Sequence, residues 1–139
     1  MNLSIRNQLP GTVTAVTAGV AMASVKVRLA GGQEITAAVT REAVKELGLA
    51  AGSSVRALVK ATEVALATGP VEGLSIRNRL PGTVMGVTTG EAMATVRVGV
   101  VGGELTAAVT REAVDDLGLF PGSEVVALVK STEISLAAG

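Results

Sequence analysis

Ser4-Ile5-Arg6-Asn7-Gln8-Leu9-Pro10-Gly11-Thr12-Val13 returns later in the chain as Ser75-Ile76-Arg77-Asn78-Arg79-Leu80-Pro81-Gly82-Thr83-Val84. Two further phrases return in the same order. Ala37-Ala38-Val39-Thr40-Arg41-Glu42-Ala43-Val44 becomes Ala107-Ala108-Val109-Thr110-Arg111-Glu112-Ala113-Val114, and Leu58-Val59-Lys60-Ala61-Thr62-Glu63 becomes Leu128-Val129-Lys130-Ser131-Thr132-Glu133. The 139 residues therefore read as one module written twice, 1–69 and 70–139, and any fold must serve both copies.

The copies are offset by 71 residues through Gly32/Gly103 and by 70 from Glu34/Glu104 onward. The slipped residue, Gln33, lies beside Gly31-Gly32. A one-residue length change next to Gly-Gly marks a hairpin tip, where insertions cost little and positive φ is needed. Before it, residues 23–29 put Val25, Val27 and Leu29 on one face and Lys26 and Arg28 on the other, the period of a half-buried strand. Residues 35–39 form the returning strand. Residues 13–16 extend the opening strand through a Pro-Gly turn at Pro10-Gly11.

Residues 40–48 read as a short helix, with Thr40 as N-cap, Ala43, Val44 and Leu47 on the apolar side, and Gly48 as the stop. Residues 110–118 repeat it. A turn (Ala51-Gly52-Ser53; Pro121-Gly122-Ser123), a strand over 55–59 and a last strand over 63–66 complete the module. Residues 68–73 make the linker. The expected fold is mainly β: two tandem OB-like five-stranded barrels, each with one short helix. The strand at 55–59 is apolar on both faces, with Leu58 opposite Val55, Ala57 and Val59, so it is expected to be buried on both.

Composition narrows the function classes. Twelve basic residues balance twelve acidic ones, which argues against a broad nucleic-acid or membrane-surface footprint. Single-strand binders use aromatic platforms, and Phe120 is the only aromatic residue. With no His and no Cys, the usual acid–base and nucleophilic constellations, disulfides and zinc sites drop out. No stretch reads as a membrane span or a leader, so a soluble cytoplasmic protein that is not an enzyme is expected. Modules of this size rarely gain more than ~3–5 kcal/mol from one core, so self-association is expected to supply stability.

Four cationic positions recur: Arg6/Arg77, Lys26/Arg97, Arg41/Arg111 and Lys60/Lys130. Lys26/Arg97 reads as a solvated outer face, and Arg41/Arg111 as a surface residue paired with Glu. Arg6 and Lys60, flanked by Ser4 and Thr62, allow two readings. One is an anion site built of donors, helped by the helix start at Thr40. The other is ordinary ion pairing with Glu63, Glu34 or their copies, as in a non-catalytic structural or protein-interaction module.

These phrases taken together resemble the Mop domain of molybdate- and tungstate-binding proteins, and two tandem copies resemble a di-Mop molbindin. The resemblance implies reversible storage of molybdate or tungstate, with no further cofactor. It implies a homotrimer whose oxyanion sites lie between modules of different subunits, and neither nucleic acid nor membrane as partner. Carried over by motif, the oxyanion ligands would be Ser4, Arg6, Thr40, Lys60 and the backbone at Ala61, with Ser75, Arg77, Thr110, Lys130 and Ser131 as counterparts. Asn7 and Asn78 are weaker candidates for a second class of site near the threefold axis. Ala61 has no hydroxyl where Ser131 has one, so sites using Ala61 are expected to bind less tightly.

Molybdate and tungstate are bare dianions at neutral pH, whereas phosphate keeps a proton that needs an acceptor. A pocket of donors without a carboxylate leaves that proton unmatched and disfavours phosphate. Each charge-assisted hydrogen bond in such a site is worth roughly 1.5–3 kcal/mol.

Overall fold

The protein, described here over residues 2–139 from a computed structural model, contains ten strands and two short helices. In the first repeat these are β1 (Asn7–Ala18), β2 (Met22–Leu29), β3 (Glu34–Thr40), α1 (Arg41–Leu47), β4 (Ser54–Val59) and β5 (Ala65–Ala67). The second repeat gives β6 (Asn78–Thr89), β7 (Met93–Val100), β8 (Gly103–Thr110), α2 (Arg111–Leu117), β9 (Glu124–Val129) and β10 (Ser135–Ala138). A 3₁₀ turn precedes each last strand, at Ala61–Glu63 and Ser131–Glu133.

The strands form two curled five-stranded sheets, ordered β10-β4-β1-β2-β3 and β5-β9-β6-β7-β8. The last strands are exchanged. β5 pairs with β9, setting Ala65 opposite Leu128, and β10 pairs with β4, setting Ser135 opposite Leu58. Each repeat thus completes the sheet of the other. One hydrophobic cluster correspondingly contains Val25, Val27 and Val55 from the first repeat with Leu80, Leu105, Ala127 and Ile134 from the second. Pooling two thin cores within the chain supplies part of the burial that a module of this size lacks alone.

The β2–β3 and β7–β8 hairpins lie where the Gly-Gly slip placed them. Val25 and Val27 are fully buried, while Lys26 and Arg28 are exposed. Gly32 and Gly102 adopt positive φ at the two tips. The tips also touch: Gln33 Nε2 donates to the Val101 carbonyl at 2.9 Å, and a Cβ on Gly31 would collide with that same carbonyl. Both helix caps hold as well. Thr40 and Thr110 each accept from the backbone N–H three residues on at 3.1 Å, and Gly48 and Gly118 end the helices in the left-handed region.

The Pro-Gly turn expected at Pro10-Gly11 is absent. β1 runs straight through it as twelve residues, pairing first with β4 and then with β2. Pro10 pairs with Arg56 before the β1–β2 ladder starts at Gly11, so its missing N–H falls at the margin of that ladder. Gly11 is needed for a close crossing rather than a reversal: a Cβ there would lie 2.6 Å from Val27 Cγ1 and 2.8 Å from the Arg28 carbonyl oxygen. The bend comes from a register slip between Val13 and Ala15, repeated between Val84 and Gly86. The final strand begins later than the expected 63–66, at Ala65 in the first repeat and Ser135 in the second, because the 3₁₀ turn takes Glu63 and Glu133.

Candidate functional site

The lysine that ends each doubly buried strand stands at the junction of the two sheets. Leu58 and Leu128 are 6% and 5% exposed, as expected of a strand covered on both faces, yet Lys60 and Lys130, two residues on, are exposed. Their backbones match, with φ and ψ of −65° and 140° at Lys60 and −66° and 141° at Lys130. Each leads into its 3₁₀ turn through a hydrogen bond from the Glu63 or Glu133 N–H to its own carbonyl at 2.9 Å.

Strand exchange builds a cavity beside each lysine. At Lys60 it has a volume of about 140 Å³ and is lined by Ile5, Leu58, Glu63, Thr132, Glu133 and Ser135. At Lys130 it is about 320 Å³, and its walls include Thr62, Glu63, Ala65, Ile76, Leu128 and Glu133. Ile5 and Ile76 carry the Ser4-Ile5-Arg6 and Ser75-Ile76-Arg77 segments past these cavities. Structure therefore brings the two opening phrases to the two lysines, although they are some fifty residues apart in sequence. A larger concavity, about 680 Å³, lies elsewhere, over β6, β7 and β9. Its only charged wall residue is Glu124, which does not suit it to an anion.

Several ion pairs expected from the sequence are not made. Among the described residues the only ion pairs within 4 Å are Lys26–Glu34 at 3.7 Å and Arg97–Glu104 at 3.4 Å. Lys60 and Lys130 have no such partner, and Glu34 is committed to Lys26, which is thus paired as well as exposed. Arg41 and Arg111 do not pair with Glu. Their guanidinium groups donate to the carbonyls of Gly19 (3.5 Å) and Gly90 (3.3 Å) at the β1–β2 and β6–β7 tips. Arg6 is exposed and folds onto its own segment, Nε to the Ser4 carbonyl at 3.1 Å and Nη2 to the Leu3 carbonyl at 2.9 Å.

The other candidates fall in three places. Ser4 and Ser75 are exposed on the opening segments, and Ala61 and Ser131 directly follow the lysines; these four, like Arg6 and Arg77, border the cavities through their chain neighbours and do not line them. Thr40 and Thr110 line neither lysine cavity in the single chain, and their hydroxyl oxygens already cap the helices. Asn7 and Asn78 are 3% exposed and act as staples between the sheets. Asn7 donates from Nδ2 to the Thr106 carbonyl and accepts from the Thr106 N–H on Oδ1, both at 2.8 Å. Asn78 does the same with Thr36, at 2.9 and 2.8 Å.

The cavities also differ from a donor-only pocket, since Glu63 and Glu133 line both. The carboxylates lie beyond 4 Å from either ammonium, so donor character holds at the lysine itself and not for the whole cavity. Sequence spacing could not show this, because the exchanged turns bring each glutamate to the other repeat's lysine. Nor did it indicate Ser135, whose position depends on β10 pairing with β4. Arg79 was likewise unmarked: it donates to the Ile76, Val71 and Leu74 carbonyls and so holds the segment leading to Ser75 and Arg77.

Comparison with known proteins agrees with this architecture. The TOBE domain model matches twice, over residues 3–66 and 74–136. The molybdenum-pterin-binding protein MopB of Rhodobacter capsulatus is 40% identical over 139 residues, covering 99% of this chain and 52% of that protein. The molybdenum transport protein ModE of Azotobacter vinelandii is 37% identical over 138 residues, covering 99% and 51%. The chain thus spans about half the length of these curated relatives. A crystal structure of the cytoplasmic molybdate-binding protein ModG, with molybdate bound, superposes with a TM-score of 0.97 at 42% identity and covers 100% of both chains. No helix among the described residues is long and apolar enough to cross a membrane.

Proposed function

The chain belongs to the TOBE-domain family as a tandem pair of Mop-type modules, and from that premise we propose that it binds molybdate reversibly, without catalysis, to store or buffer it in the cytoplasm. Tungstate, a bare dianion of the same shape, is bound by the same groups. The observation that carries this reading is the pair of exposed lysines, Lys60 and Lys130, each at a cavity mouth beside an arginine-bearing segment and without a carboxylate within 4 Å. A cation left unpaired at such a junction suits an anionic ligand. The likeness to ModG over its full length supports the ligand's identity.

In this proposal Lys60 and Lys130 supply the charge, Arg6 turns from its own segment toward the ligand, and the exposed Arg77 joins it at the other site. Ser4, Ser75, Ser131 and the backbone at Ala61 add hydrogen bonds. Thr40 and Thr110 cap helices and neither line the cavities nor flank a lining residue of the lysine turns, so we assign their part to a neighbouring copy, in a homotrimer whose sites are completed between subunits. Asn7 and Asn78 are assigned to holding the sheets together. With Glu63 and Glu133 in the walls, hydrogen phosphate finds an acceptor for its proton. Discrimination against phosphate is accordingly weaker than in a site of donors alone.

Native mass spectrometry of the whole protein with molybdate, and separately with sulfate, tests the reading. A trimer should take up several molybdates and few sulfates, and Lys60→Ala should lower the molybdate count and affinity. Uptake of neither anion, or unchanged binding in both Lys60→Ala and Lys130→Ala, would sink it.

A further inference from the structure

The two lysine turns differ between repeats at two positions that read as unrelated drift in sequence: Ala61 against Ser131, and Ala65 against Ser135. Strand exchange relates them. Ser135 is placed opposite Leu58 and lines the Lys60 cavity, while Ala65 is placed opposite Leu128 and lines the Lys130 cavity. The lysine with Ala61 beside it therefore receives Ser135, and the lysine with Ser131 receives Ala65. Each lysine ends with one serine hydroxyl nearby. Without exchange, Lys60 would have two alanines and Lys130 two serines.

We infer that Ser135 is a ligand-binding residue of the Lys60 site, supplying from the exchanged strand the hydroxyl that Ala61 lacks. This rests on the oxyanion-binding reading above, and it implies that sites using Ala61 bind as tightly as those using Ser131. Ser135 is exposed, so its hydroxyl can turn toward a ligand. Charge balance makes neutral donors matter here. Glu63 and Glu133 line the same cavity, so two carboxylates offset the Lys60 ammonium and the Arg6 guanidinium and leave no net charge to hold a dianion. A hydroxyl donating to a charged oxygen adds attraction without adding counter-charge.

The test is calorimetric titration of the whole protein with sodium molybdate, comparing wild type, Ser135→Ala, Ser131→Ala, the double variant Ser135→Ala with Ala61→Ser, and Lys60→Met. Ser135→Ala should weaken one set of sites about 10-fold to 100-fold and leave the other unchanged. Ser131→Ala should weaken the complementary set, and Ala61→Ser in the Ser135→Ala background should restore most of the loss. If Lys60→Met removes a set of sites while Ser135→Ala binds like wild type, Ser135 has no such role and the inference falls alone. If wild type takes up no molybdate, the binding reading fails and this inference with it; if Lys60→Met changes nothing, the Lys60 site and this inference fall together. An unchanged melting temperature in Ser135→Ala excludes misfolding as the cause of any loss.

Discussion

Replacing Asn7 or Asn78 by alanine should destabilise the protein far more than truncating a typical surface residue. Each side chain makes two hydrogen bonds of 2.8–2.9 Å to one backbone unit of the opposite repeat, Thr106 or Thr36. Truncation leaves an N–H and a C=O without partners, and each such buried group costs about 1–3 kcal/mol. Thr36 and Thr106 are half-buried, so water recovers part of the loss; about 1–1.5 kcal/mol for each of the two groups gives about 2–3 kcal/mol per variant. For a chain of 139 residues, about 1 kcal/mol corresponds to roughly 4 °C, so the melting temperature should fall by about 8–12 °C. The chain has no Trp or Tyr, so differential scanning calorimetry at fixed protein concentration is the suitable assay. Asn7→Asp supplies a signature that lost packing cannot mimic. Its carboxylate would set an acceptor against the Thr106 carbonyl, disfavouring the charged form in the folded state and raising the folded pKa above the unfolded one. The folded state then binds more protons, so the variant should regain stability as pH falls through the raised folded pKa. Melting temperatures lowered by less than about 3 °C in both alanine variants, with no pH dependence for Asn7→Asp beyond that of wild type, would refute the staple.

Two further outcomes follow from the same junction. A fragment of residues 1–73 should form a dimer in analytical ultracentrifugation, because β5 pairs only with β9 and its counterpart in a second fragment is β4; a well-folded monomer would show that the exchange is not required. Gly31→Ala should lower the melting temperature by several degrees, because its Cβ meets the Val101 carbonyl, whereas Gly103→Ala, with open space around it, should change it little. Equal effects from the two glycines would mean that the hairpin tips do not touch.

Much of each module could be read locally. The Gly-Gly slip located the hairpins, Thr40 and Gly48 bounded a helix, and the alternation over 23–29 assigned the faces of β2, because turn chemistry, caps and a two-residue period are properties of neighbouring residues. Pro10-Gly11 misled for the same reason. As a dipeptide it signals a turn, but its role here is set by Val27 and Arg28 on the next strand, which leave room only for glycine.

The repeated phrases by themselves determined that there are two β modules, where their strands and helices lie, and that Arg6, Lys60 and their copies are the cations to watch. Tertiary structure alone decided which sheet each last strand joins. The candidate neighbours, Ser-Val-Arg-Ala-Leu-Val in β4 and Glu-Val-Val-Ala-Leu-Val in β9, offer nearly the same edge. Strand pairing runs through backbone groups that carry no sequence signature, so nothing in the three residues of β5 selects one edge over the other. That choice, made by long-range packing, places Glu63 and Glu133 beside both lysines, engages Asn7 and Asn78 with the opposite repeat, and moves Ser135 to the lysine that Ala61 follows in place of a serine.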